Sequence, residues 1–133
     1  MSQENVDIVR AVYRAWSQDD LEALLDTTDP GVEFLTSGYF PDFEPVYLGH
    51  DGIRRFWEAL QAPWDWFRID VERVIDGEGC AAAAVRFRGR GEGSSVVTDL
   101  RQGHAMRIRD GRVVKVSAHA SFREALEAVG LSE

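Results

Sequence analysis

Residues 47–56 read Tyr47-Leu48-Gly49-His50-Asp51-Gly52-Ile53-Arg54-Arg55-Phe56, and the fold turns on the residues just after Gly52. Ile53, Phe56, Trp57 and Leu60 recur at i, i+3, i+4 and i+7, so a helix with one apolar face begins there. Pro63 stops it. Two helical patterns lie upstream. Ser2 can cap the first, with Glu4 in its opening turn and Val6, Val9, Tyr13 and Trp16 along one face. Asp19-Asp20 ends that run and caps a short second helix through Leu21, Leu24 and Leu25, up to the turn Asp29-Pro30-Gly31.

Extended patterns dominate the rest. A first strand is expected over Val32–Thr36. Four more come after it, over Trp66–Ile75, Cys80–Gly89, Val96–Arg109 and Arg112–Ala120. Their turns are marked by Asp76-Gly77-Glu78-Gly79, by the glycines between Gly89 and Gly93, and by Asp110-Gly111, a strong hairpin signal. Ser121-Phe122-Arg123-Glu124 is a capping box that opens a closing helix over Phe122–Val129. The expected class is α+β, with N-terminal helices on a strongly curved antiparallel sheet and a short C-terminal helix. Residues 1–133 read as one domain.

Bulk charge narrows the function. The net charge of −8 argues against a nucleic-acid binder, which needs a cationic surface to displace counterions. Residues 1–66 carry 13 acids and 4 bases, whereas residues 67–133 carry 10 and 11, so the arginines sit on the strands. Asp70, Glu72 and Asp99 are interspersed with them, which reads as ion pairing across a sheet surface. The lone Cys80 excludes an internal disulfide, and no signal peptide or membrane span is read, so the expected location is cytoplasmic, without a membrane partner.

Alternation separates the two faces of the sheet. Val96, Thr98, Leu100, Gln102, His104, Met106 and Ile108 share one face, and Asp99, Arg101, Arg107 and Arg109 the other. In the last strand Val114, Val116, Ala118 and Ala120 oppose Lys115, Ser117 and His119. The apolar series should line the concave side. A bulge at Gly103 would shift this register by one. His104 is then the one imidazole expected inside. It is either an acid–base group with a pKa tuned by burial or a core histidine satisfied by Gln102 or a backbone carbonyl.

The expected pocket is bounded by Tyr13, Trp16, Phe34, the Tyr39–Phe43 loop, Phe56, Trp57, Val116 and Ala118. Asp42, in that loop, is either a partner for His104 or a solvated acid. No His-x-His or His-x-x-x-His set accompanies the single cysteine, so neither a metal nor another cofactor is expected.

The chain resembles the SnoaL-like branch of the nuclear-transport-factor-2-like superfamily. The likeness rests on Ile8-Val9-Arg10-Ala11-Val12-Tyr13 with Trp16, on Asp20-Leu21, on Tyr47-x-Gly49-x-Asp51-Gly52-Ile53, on Met106-Arg107-Ile108-Arg109-Asp110-Gly111-Arg112-Val113, and on Glu124-Ala125-Leu126-Glu127-Ala128-Val129-Gly130-Leu131. The resemblance implies a cone of curved sheet and three helices, commonly dimeric. The activities it implies are isomerase, aldol cyclase, dehydratase or epoxide hydrolase.

It also places His104 where ketosteroid isomerases and polyketide cyclases carry an acid. Phe34 falls where the isomerases have their basic aspartate, and Val12, one residue from Tyr13, where they have their oxyanion tyrosine. The Asp-Arg-Asp set of the epoxide hydrolases finds no match. Two functions stay open. One is a cofactor-free enzyme acting on a small apolar, cyclic ligand through His104; the other is a noncatalytic ligand-binding or dimerising domain. An adaptor for other proteins is disfavoured by the charged outer face. A homodimer through that face is expected, because its charges need partners.

Overall fold

The computed structural model describes residues 2–36 and 43–133. The expectations for Tyr39 and Asp42, and for capping by the Ser2 side chain, lie outside the described residues. The elements run α1 (Ser2–Ser17), α2 (Leu21–Thr27), β1 (Thr28–Leu35), β2 (Val46–Leu48), α3 (Gly49–Gln61), β3 (Trp64–Gly77), β4 (Cys80–Gly91), β5 (Val97–Arg109), β6 (Arg112–His119) and α4 (Phe122–Ala128).

The local signals act as their chemistry dictates. Asp20 accepts from the Ala23 amide at 3.1 Å, and Ser121 Oγ accepts from the Glu124 amide at 3.1 Å, so each opens its helix. Asp110 and Gly111 take φ of 54° and 77°, both positive as a tight twisted hairpin requires. α3 starts one turn earlier than the apolar spacing predicts, because Gly49 turns the chain at φ 69° directly after β2. Gly52 then sits so close to β2 that a Cβ there would lie 2.8 Å from the Tyr47 carbonyl carbon.

The six strands form one open, curved sheet in the order β2-β1-β6-β5-β4-β3. It is mixed rather than wholly antiparallel: β1 runs parallel to β6, with Phe34 opposite Val116, while every other pair is antiparallel. Consecutive hairpin strands must alternate in direction. β1 and β6 are joined only through α3 and the other strands, so no hairpin constrains them. Register shifts between Trp64 and Trp66 and between Val71 and Arg73 bend β3.

A third shift falls between Arg107 and Ile108, which pair with Lys115 and Val113 and leave Val114 as the extra residue. The inward residue is therefore Val113, fully buried, and not Val114. Gly103 is no bulge. It pairs in register with Ala84 and His119.

α1 packs over β3 and β4, and α3 over β1, closing the concave side. The main core gathers Val9, Tyr13, Leu24, Val32, Ile53, Trp57, Val85 and Met106 there. α4 covers the opposite face, where Ala82, Ala105, Ala125 and Leu126 make a second, smaller cluster. A Cβ on Gly103 would stand 2.2 Å from the Ser121 carbonyl oxygen, so glycine is what lets α4 dock.

The rest of that outer face carries charge. Arg86 grips Asp99 through two bonds of 2.9 and 2.6 Å, Arg88 and Arg68 share Asp70, and Arg101 grips Glu72. Arg86, Arg88 and Arg101, expected to need a second chain, thus find partners within one. No helix among the described residues is long and apolar enough to cross a membrane.

Candidate functional site

A cavity of about 690 Å³ lies between the helices and the concave sheet face, within the usual range for small-molecule sites. Every second residue of β5 from Thr98 to Met106 reaches it, as strand alternation requires. α1 contributes Val12, Tyr13 and Trp16; α3 contributes Ile53, Phe56, Ala59 and Leu60.

Of the expected pocket residues, Tyr13, Trp16, Phe34, Phe43, Phe56, Val116 and Ala118 line the cavity together with His104. Trp57 does not. It stacks on Trp16 at 4.2 Å between ring centroids and is buried in the core. Phe56 is the hub of the aromatic wall, with the rings of Phe34, Tyr47, Phe43 and Trp16 at 4.4, 5.3, 5.4 and 5.9 Å. The other two histidines stay outside: His50 Nε2 lies 3.1 Å from the Thr28 carbonyl, and His119 Nε2 lies 2.7 Å from Ser117 Oγ. Cys80 is buried with its thiol towards the Val129 carbonyl. No group of three metal-ligating side chains gathers among the described residues.

The polar chemistry of the cavity is concentrated at one spot. Tyr13 Oη lies 2.5 Å from His104 Nδ1, and His104 Nε2 lies 3.3 Å from Gln102 Oε1. An amide oxygen only accepts, so Nε2 carries the ring proton and Nδ1 accepts from the Tyr13 hydroxyl. Both groups are held neutral. Burial pushes His104 down to about 4, with a smaller push from His119, and burial pushes the Tyr13 phenol up.

Tyr13 lines the cavity as expected, but its bond to His104 was not foreseen from the sequence. The available signal was general: a buried phenol usually finds a hydrogen-bond partner. Thr98 and Leu100 line the wall as their parity predicts, whereas Leu24, Ile69, Phe87 and Val113 also line it and were not singled out as pocket residues.

The SnoaL-like domain family matches residues 9–116. The chain belongs to that family. Among solved structures, a nuclear-transport-factor-2-like protein of unknown function from Burkholderia pseudomallei K96243 is 22% identical, with 96% of this chain and 97% of that one covered and a TM-score of 0.81. TerC, co-crystallised with polyporic acid, is 20% identical over 93% of this chain and 98% of its own, with a TM-score of 0.78. A protein described as a SnoaL-like polyketide cyclase, from Jannaschia sp. CCS1, is 15% identical over 99% and 95%, with a TM-score of 0.77. At these identities the likeness establishes the fold alone. No curated protein matches the sequence.

Proposed function

We propose that this SnoaL-like chain is a small-molecule pocket protein acting as a cofactor-independent isomerase, cyclase or dehydratase on an apolar, cyclic substrate, with His104 as its acid–base group. The observation that carries the reading is the bonded series Tyr13–His104–Gln102 in a largely apolar cavity.

An imidazole whose pKa is depressed to about 4 is neutral at pH 7 and resists becoming imidazolium. Chemistry that never builds that charge suits it best. A proton leaves the carbon beside a substrate carbonyl for the Tyr13 oxygen, the Tyr13 proton passes to Nδ1, and the Nε2 proton moves to the carbonyl oxygen. The carbonyl becomes an enol, both side chains stay neutral, and the imidazole ends in its other tautomer. Reprotonation at a second carbon runs the relay backwards and completes an isomerisation.

The test uses 2-tetralone, a cyclic ketone whose exchange of carbon-bound hydrogen for deuterium is read by NMR. The protein should accelerate exchange over buffer, and His104→Ala and Tyr13→Phe should each lose on the order of a hundredfold or more of that acceleration. Binding of cyclic ketones with no acceleration would leave the noncatalytic reading. A homodimer and a cytoplasmic location are also part of this proposal. With Arg86, Arg88 and Arg101 paired internally, the dimer rests on the exposed apolar pair Trp66 and Val97, which flank Arg90 on neighbouring strands.

A further inference from the structure

We infer that the cavity selects uncharged ligands bearing a carbonyl-type oxygen and rejects the carboxylate of the same skeleton. The inference rests on the reading that this cavity is the ligand site, and it names the class of ligand.

Among the described residues that line the cavity there is no Asp, Glu, Lys or Arg. The arrangement follows from strand alternation: the arginines and acids of β3, β4 and β5 fall on the outer face, where Arg86, Arg88 and Arg101 are engaged by Asp99, Asp70 and Glu72. None of them turns inward to meet a buried anion. The imidazole and phenol at the polar spot are neutral at pH 7, so they supply dipoles and no charge. An anion entering this space leaves its hydration shell without gaining a counterion, a cost that apolar contacts do not offset.

The same spot fits a neutral acceptor. His104 Nε2–H has only a long bond, 3.3 Å, to Gln102 Oε1, which a ligand oxygen can replace. The Gln102 amide N–H groups have no protein partner among the described residues and border the cavity. Gln102, on the same face of β5 and lining the same cavity, offers a second donor for a carbonyl oxygen. Tyr13 reinforces the polarity, because its hydroxyl occupies Nδ1 and leaves the ring proton on Nε2.

Three probes with one aromatic body separate the contributions: 2-acetylnaphthalene, 2-ethylnaphthalene and 2-naphthoate, titrated into the unmodified chain at pH 7 and followed by calorimetry. The ketone should bind about tenfold more tightly than the hydrocarbon, from its hydrogen bond, and on the order of a hundredfold more tightly than the carboxylate. Methyl 2-naphthoate, the uncharged ester of the same skeleton, should recover that binding at pH 7.

Naphthoate binding as tightly as the ketone at pH 7 would overturn charge exclusion while leaving the proposed proton chemistry standing. Equal binding of ketone and hydrocarbon would overturn carbonyl recognition. Binding of none of the three would overturn the cavity as a ligand site, and this inference with it. Loss of 2-tetralone exchange activity, by contrast, bears only on catalysis.

Discussion

Tyr13 on α1 and His104 on β5, far apart in sequence, meet with oxygen and nitrogen 2.5 Å apart and their rings stacked at 5.8 Å. The contact fixes the tautomer of the one histidine that faces the cavity. Tyr13→Phe should weaken that preference, leaving only the longer Gln102 contact to hold it. Long-range nitrogen–proton NMR of the ring should show Nε2 protonated and Nδ1 bare in the unmodified chain, and a mixture of tautomers in the variant. A protonated Nδ1 in the unmodified chain would reverse the direction of the bond.

Acid should weaken the fold through the depressed histidines. Between the ordinary imidazole value of 6.5 and the folded value of about 4 for His104, the unfolded chain binds more protons than the folded one. Stability therefore rises with pH across that window, and is lost on acidification from about 6.5 to about 4. For His104 the loss is at most about 3 kcal/mol, with a further share from His119, which burial also depresses. Asp70, Glu72 and Asp99, held low by desolvation-opposed bonds to arginine, add their loss only at lower pH. Urea midpoints at pH 7, 5.5 and 4.5 should fall in the unmodified chain and fall less in His104→Gln. Equal falls would assign the loss to other groups.

Gly103→Ala should loosen α4. The new Cβ would meet the Ser121 carbonyl oxygen at 2.2 Å and the Ala125 Cβ at 2.8 Å, and a backbone atom cannot rotate aside. A loss of about 2 kcal/mol or more is expected in chemical denaturation, with faster amide exchange through Phe122–Ala128. His104 points to the other face, so its ring signals should change little. An α4 that stays as protected as before would contradict the docking argument.

Light scattering at micromolar concentration should give twice the 14.9 kDa chain mass. Trp66 and Val97 are 43% and 51% exposed on the outer face, and Trp66→Glu with Val97→Asp should shift the chain to a monomer. A monomer before mutation rejects the dimer outright.

What could be read from the sequence was what is local. Alternation from Thr98 to Met106 named the cavity face of β5 because period two needs only neighbouring residues; Val96, expected on that face, falls before the strand and is exposed. Asp110-Gly111 and Ser121–Glu124 announced a hairpin and a helix start for the same reason. The rest depended on distant partners. Nothing near Thr28–Leu35 says that this strand lies parallel to β6, and the three-residue β2 is too short to show a pattern.

Val113 displaced Val114 because a bulge depends on how two strands meet, and Gly103, suspected as a bulge, is a clearance for α4. At the site, His104 and most of its apolar wall were legible from parity. Its bond to Tyr13 was not, since it joins a helix to a strand across the core.

The parallel placement of β1 against β6 has a consequence for how the chain reaches its fold. Phe34 has its sheet partner in Val116, so during synthesis the first strand emerges long before the strand it must join. Such distant pairing slows folding and defers closure of the fold. Until β6 is made, β1 and β2 are a small ribbon without a sheet, too little to hold together alone. The wall that carries Phe34 and the wall that carries His104 come together only at that last step. A ribosome-bound chain stalled before β6 should therefore have helices and a β3–β4–β5 meander, yet no enclosed space for a guest.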